Sequence, residues 1–540
     1  MDKADIVIIG SGVGGSAVAH QLAGSGAKIL ILELGDFLPN EPENSDPNAV
    51  FLKSRYKTQD QWTDAEGKQF RPGQYYYVGG NTKFYGTAMF RFRESDFDAT
   101  QIDGTLSPAW PISYQDLVPY YKAAENLYGV RGEAGVDPTE AERDSFTHPP
   151  IPHEPVIEEL EKQFIKAGLK PFHMPSAVDY GPGGRCRRCG SCDAFVCRFD
   201  AKGDAETRVL KPILEHPDVR LERGAKVLKL ITDVEGKQIV ALEMLQHGEL
   251  KRVEAPLFVL SAGAINSALI LQRSSNEHFP NGLANRSGIV GRNLMNHHLT
   301  GLMGVKPFKR NDTKFPKTLS VNDFYHGIPN DADARGNIQM LGNIKGEMIR
   351  SAYTSVPKFL ANWLGRHSVD ILVMSEDLPN SESRVRLLEN GAVKVEYKPG
   401  AKSAHQRFVR HVKKVFEKAG FPFVLQHSFG IHAPSHQSGT IRMGDDPKTS
   451  ALNAFCRSHD HSNLYVVDGS FFPSSAALNP ALTIAAQALR VGEHIRRSVI
   501  NFDFFVVWNA VFRCSYDLNS LLNLKAQSSL ANKPWALSDN

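Results

Sequence analysis

Apolar residues along this chain fall into short unbroken runs near the start and into alternating or helix-spaced patterns further on. Ile6 to Ile9 is an uninterrupted β-branched run, the pattern of a parallel strand buried on both faces. A helix-like stretch follows over 16–23, and a second apolar run from Lys28 to Leu32 ends in Glu33. Residues 219–259 are strand-rich. Val227 to Ile231 and Ile239 to Leu245 read as a hairpin, and Pro256 to Leu260 as another buried strand leading through Ser261-Ala262-Gly263-Ala264 into a helix over 265–272. Between 300 and 400 the runs alternate (Leu302 to Val305, Ile338 to Ile344, Val369 to Met374, Val385 to Leu388, Val393 to Tyr397), which predicts an antiparallel sheet from a different domain. Helices are expected after Ser113, with Asp116 at its capping-box position, and over about 155–168 and 404–419. Leu464 to Val467 reads as a short strand, and Thr483 opens a last helix to about Arg497 with Pro480 just ahead of it.

The strand–turn–helix–strand–acid order at the start carries the first chemistry. Glycines at 10, 12, 14 and 15 follow the first strand at once. Gly10 permits the tight turn, Gly12 lets backbone N–H groups approach a pyrophosphate, and Gly15 lets the helix lie close to the strand. Glu33 is placed to accept hydrogen bonds from a ribose diol. The unit predicts a dinucleotide without separating NAD from FAD. Gly79-Gly80-Asn81-Thr82, among the aromatics of 71–93, suits a main chain running along a flat ligand or a glycine-rich aromatic hairpin.

With 540 residues the chain has room for two or more domains. A net charge of +3 with no single-sign block gives no argument for nucleic acid or for an anionic membrane. The sequence has neither a transmembrane-length apolar run nor a signal-peptide pattern, so the expectation is a cytoplasmic protein. Four of the six cysteines cluster at Cys186, Cys189, Cys192 and Cys197. Structural thiols or local disulfides are preferred there over an iron–sulfur centre or zinc, so no metal is assigned. Arg185, Arg187, Arg188 and Arg198 beside them are expected to lower the thiol pKa values.

The opening glycine unit with Glu33, Gly79-Gly80-Asn81-Thr82, the block His436 to Gly444, Asp468-Gly469 and Asn479-Pro480-Ala481-Leu482-Thr483 together resemble the glucose–methanol–choline (GMC) oxidoreductases, from residue 5 to about 497. Trp110-Pro111, the cysteines ahead of Ala201-Lys202 and the His…Asn pair resemble the pyranose-oxidase-like and bacterial sugar dehydrogenase branches. The resemblance implies an α/β GMC fold: a Rossmann-type FAD-binding domain from 1–105, 200–300 and 427–498, and a substrate domain with an antiparallel sheet from 106–199 (including the Cys-rich loop 186–197) and 301–426. The tail 499–540 falls outside it. It further implies that FAD takes hydride at N5 from a sugar or glycoside hydroxyl, with His436 as the general base and Asn479 beside the hydroxyl. Gly10, Gly12, Gly14, Gly15, Glu33, Gly79, Gly80, Asn81, Thr82, Val227, Asp468, Gly469, Pro480, Leu482 and Thr483 are the implied cofactor contacts. Phe84 stands where some relatives carry a flavin-linked histidine, so FAD is expected to be non-covalent; Tyr85 stands where asparagine is common. The implied electron acceptor is oxygen, a quinone or a partner redox protein, with dehydrogenase use preferred. A sterol or aliphatic-alcohol oxidase and a flavoprotein subunit of an electron-transfer complex are the alternatives.

Overall fold

The computed structural model describes residues 4–433 and 436–500; the expected tail, with its aromatic stretch 502–512 and Cys514, lies outside the described residues apart from its first two positions. Among the described residues, five short strands form an all-parallel sheet: Val219–Glu222, Ile29–Leu32, Ile6–Ile9, Leu257–Leu260 and Leu464–Val466, in that spatial order. The runs Ile6–Ile9, Ile29–Leu32, Leu257–Leu260 and Leu464–Val466 are buried on both faces because helices cover the sheet, whereas the edge strand Val219–Glu222 buries only Val219. Val13–Leu22 packs against the helix Ala481–Ile495, which in turn packs against Tyr114–Tyr128. Numbered along the chain, the strand order is 3-2-1-4-5, the doubly wound arrangement with its reversal between the first and fourth strands.

A second, six-stranded antiparallel sheet, which touches the loop before the last helix through Gln339 and Asn479, is formed by Phe423–Phe429, His298–Val305, Ser368–Ser375, Asn337–Met340, Leu319–Val321 and Phe172–His173. One face packs on helices Pro155–Lys166 and Lys402–Lys418, where Phe164, Phe408 and Phe416 meet Leu302, Ile338 and Val373. Side chains alternate along a strand. Ile338 and Met340 therefore go to the helices, and Asn337 and Gln339 go to the opposite face. The strands Arg384–Leu387 and Val393–Glu396 were expected in this sheet but do not join it. They pair with Trp62–Thr63 and Gln69–Phe70 in a separate four-stranded sheet, around Trp62, Phe70 and Val395.

Two buried arginines fix the segment after the second glycine turn. Arg91 forks onto Glu125 with both bonds at 2.8 Å, and Arg143 reaches the same carboxylate at 2.7 Å. Arg93 pairs with Asp137 at 2.5 Å. Glu125→Gln removes the charge that Arg91 and Arg143 share, and an uncompensated buried charge costs about 3–5 kcal/mol. A urea melt of this variant should show that loss in the midpoint with the slope unchanged. An unchanged midpoint would mean that the network contributes nothing.

Candidate active site

The crevice outside the carboxyl ends of the first and fourth parallel strands is where such sheets take a ligand. Gly10 leaves the first strand with φ 102°, and a Cβ there would strike the Ser261 carbonyl oxygen at 2.2 Å. Cβ atoms on Gly14 and Gly15 would lie 2.0 Å from the Val467 and Gly10 carbonyl oxygens. Backbone contact demands these three glycines. Gly12 differs: no heavy atom of another described residue lies within 4 Å of its would-be Cβ, apart from its chain neighbours, so it fronts open space at the start of the helix Val13–Leu22. That helix has no side-chain cap, which leaves its first N–H groups for an anion. Gly79 and Gly80 form the facing turn; a Cβ on Gly80 would lie 3.3 Å from Gly12 Cα, and Gly79 N donates to Ser11 Oγ at 3.1 Å. Thr82 Oγ1 donates to the Gly79 carbonyl at 2.6 Å and Asn81 Oδ1 accepts from Tyr75 N at 3.3 Å, so both side chains brace this turn.

Glu33 ends the second strand, and its carboxylate is already engaged. Oε2 accepts from Ser11 N at 3.0 Å and Ser11 Oγ at 2.6 Å, and Oε1 accepts from Gly35 N at 2.9 Å. Burial raises its pKa against the pull of these bonds. The Leu34 backbone also bonds to it, so the roughly four acceptor positions of a carboxylate are already engaged by the protein, and a ribose hydroxyl would have to share one. Asp468 has a bracing role: it accepts from Gly263 N at 3.0 Å, Ser267 Oγ at 2.5 Å and Ser470 N at 2.9 Å. These bonds tie the turn after the fourth strand to the single turn that Gly469 opens. Val227 lies in the main core, on the strand Ala225–Thr232, where the hairpin register shifts. The last helix begins earlier than expected. Pro480 is its N-cap, with a helix-compatible φ of −82°, and Leu482 and Thr483 are buried in its first turn. Thr483 Oγ1 lies 2.9 Å from Tyr121 OH and so is not the cap. This helix too has no side-chain cap.

His436 is placed by a small antiparallel pairing. Met295–Asn296 pairs with Gln437–Ser438, which brings His297 opposite His436. Their Nδ1 atoms are 2.9 Å apart and the rings meet edge to face at 4.9 Å. His297 Nε2 faces the Ser475 and Ala476 carbonyl oxygens at 2.9 and 3.0 Å. Carbonyls only accept, so this bonding pattern puts the His297 proton on Nε2 and makes its Nδ1 a lone pair. His436 Nδ1 is then the donor between the rings, and among the described residues His436 Nε2 has no hydrogen-bond partner, which leaves it to receive a proton. Burial pushes the His297 pKa down to about 4; burial, aided by His297 and Lys317, holds His436 well below 6.5. Both rings are neutral at pH 7. His436 as a residue is only partly buried. His436 and Ala476 both hold left-handed backbone, at φ 52° and 55°; such strain costs on the order of 1–2 kcal/mol per residue and collects at functional sites.

Asn479 follows Ala476 by three positions, on the loop whose carbonyls hold His297. Its Oδ1 accepts from Gln339 Nε2 at 3.0 Å. Sequence reasoning missed both supporting residues. The Asn296-His297-His298 run and the polar pair Asn337-x-Gln339 inside an apolar strand are the signals that could have found them.

The cysteine loop departs from expectation in its acidity. Burial raises the Cys186 pKa and pushes Cys192 up to about 12. Arg188 pulls the Cys186 thiol down through its backbone N–H and its charge, but burial outweighs it, and Arg185 is spent on Asp179. The four thiols are free, and among the described residues no three His, Cys, Asp or Glu side chains converge as metal ligands.

Family models described as GMC oxidoreductase match residues 73–299 and 379–488. The chain belongs to the GMC oxidoreductase family. It is 32% identical to paromamine 6'-oxidase of Streptomyces fradiae over 92% of each chain. It is 25% identical to the fructose dehydrogenase large subunit of Gluconobacter japonicus, over 91% of this chain and 98% of that one. The solved pyridoxine 4-oxidase from Mesorbium loti shares the fold at a TM-score of 0.63 and 18% identity, covering 91% of this chain and 99% of that one. As a GMC oxidoreductase the protein is an FAD-dependent enzyme acting on CH–OH groups. Its residues fit that cofactor. The space before Gly12 is open, two helices present N-termini without a side-chain cap, and the buried hydroxyls of Ser261 and Ser438 have no partner among the described residues. Among the described residues no helix is long and apolar enough to cross a membrane.

Proposed function

We propose that this enzyme oxidises a hydroxyl of a sugar or glycoside, with His436 Nε2 taking the hydroxyl proton while the Asn479 amide donates to the oxygen. The observation that carries this reading is the His297–His436 pair, whose bonding leaves a neutral imidazole with one free lone pair. Bound FAD supplies the hydride acceptor. A carbinol carbon releases hydride readily only as its O–H loses the proton, so a base and an oxygen-directed donor are the two groups the protein must provide. Gly12, Gly79, Gly80 and the two uncapped helix starts would hold FAD without a covalent link, since Phe84 is buried in a stack on Tyr75 with ring centroids 3.9 Å apart. The FAD part is drawn from about 1–105, 200–300 and 427–498, and the substrate part from 106–199 and 301–426. The electron acceptor is oxygen, a quinone or a partner redox protein.

The sugar or glycoside assignment is supported by the names of the relatives, two of which act on sugar-containing molecules: paromamine 6'-oxidase and the fructose dehydrogenase large subunit. Anaerobic mixing of the holoenzyme with paromamine, fructose, cholesterol and a short aliphatic diol is the test. The flavin absorbance should bleach with a sugar or glycoside. Bleaching by cholesterol or the diol alone would overturn the substrate class.

A further inference from the structure

Asn479 can assist an alkoxide only if its amide presents Nδ2 rather than Oδ1, and the sheet above it fixes that choice. Arg93 holds Asp137 Oδ2 at 2.5 Å, and Asp137 Oδ1 accepts from Thr139 N at 3.0 Å and Thr139 Oγ1 at 2.8 Å. Held this way, Asp137 is an acceptor only, and Asn322 Nδ2 donates to its Oδ2 at 2.7 Å. Asn322 therefore turns Oδ1 to its other neighbour, where Asn337 Nδ2 donates at 2.7 Å. The Asn337 Nδ2 group also donates to Ser320 Oγ at 3.0 Å, while the Ser320 hydroxyl donates to the Ile338 carbonyl at 2.7 Å. Asn337 Oδ1 is left to accept from Gln339 Nε2 at 3.0 Å. The same Gln339 nitrogen donates to Asn479 Oδ1 at 3.0 Å.

Reversing any one amide in this series would set oxygen against oxygen or NH₂ against NH₂. Asn322, Asn337 and Gln339 are all buried, so water cannot repair such a reversal. Gln339 keeps its orientation even though its Oε1 has no partner, because its nitrogen serves two acceptors at once. We propose that Gln339 is a positioning residue that holds the Asn479 amide with Nδ2 toward the substrate oxygen, through a one-way hydrogen-bond series anchored at the Arg93–Asp137 ion pair. The inference rests on the proposed roles of His436 and Asn479.

Gln339→Glu in the holoenzyme tests it. An ionised carboxylate at this position only accepts, so the Asn479 amide would turn Nδ2 to it and present Oδ1 to the substrate. The rate of flavin reduction at saturating substrate should fall about 10²-fold, the size seen when one oxyanion donor is lost. As the pH is lowered and the new carboxyl is protonated, it donates again and the rate should climb back toward wild type. A merely structural role predicts a loss that does not vary with pH and tracks thermal stability. Should Gln339→Glu fail to retain FAD, Gln339→Met keeps the volume without the donor; its kcat should drop about tenfold with KM little changed. An unchanged kcat in Gln339→Met overturns the proposal. A His436→Ala control separates the two readings. If that variant reduces flavin normally, the catalytic assignment itself is wrong; if it is slow while the Gln339 variants are normal, only the role of Gln339 is lost.

Discussion

His436→Ala should slow flavin reduction by the alcohol about 10²–10⁴-fold, the range that a positioned general base contributes. FAD should stay bound, because the cradle around Gly12 is built without this side chain. In stopped flow the two enzymes should show similar flavin spectra and very different bleaching rates. The pH dependence has a definite sign. Burial holds the His436 pKa well below 6.5, so the wild-type rate should persist as pH falls through 6.5 and drop only when the ring finally protonates. A limb centred near 6.5 would mean that the base is an ordinary solvated histidine, and an undiminished rate in the variant would remove His436 from the chemistry.

Gly12→Val should weaken FAD binding while sparing the fold. Its Cβ would enter space that no atom of the described residues occupies, so the apoprotein should melt close to the wild-type temperature. A branched side chain in the ligand's slot costs about 1–3 kcal/mol of overpacking, which weakens binding roughly 5–150-fold. Gly14→Val is the contrasting case: its Cβ would lie 2.0 Å from the Val467 carbonyl oxygen, and that protein should be unstable with or without FAD. Equal FAD retention in Gly12→Val and wild type, by absorbance after gel filtration, would place the pyrophosphate elsewhere.

The parts of the fold that could be read from sequence are those whose signal is local. The run Ile6–Ile9 and its glycines declare themselves because both faces of the strand are buried and the turn that follows needs residues without a side chain. The hairpin Ala225–Thr232 and Ile239–Gln246 follows its alternation closely. The strand Phe423–Phe429 was not foreseen because it is a sheet edge, with Phe423, Leu425 and Phe429 exposed and no clean alternation. The four-stranded sheet was misplaced because two of its members, Trp62–Thr63 and Gln69–Phe70, are only two residues long and leave no periodic trace. At the site, His436 and Asn479 were visible as motif residues. His297 and Gln339 work through pairings 139 and 140 positions away in sequence, and such pairings exist only once strand registers are set.

The fifth strand of the nucleotide sheet, Leu464–Val466, docks on Leu257–Leu260 more than two hundred positions after the fourth strand's predecessor has been laid down, and the helix behind it closes on Val13–Leu22. A ribosome must therefore deliver nearly five hundred residues before the pocket for the prosthetic group can close. Loop closure over such spans makes assembly slow, and the nascent chain meanwhile exposes apolar strand edges to chaperones and aggregation alike. Supply of flavin during translation should thus matter less to yield than protection of the unfinished N-terminal half.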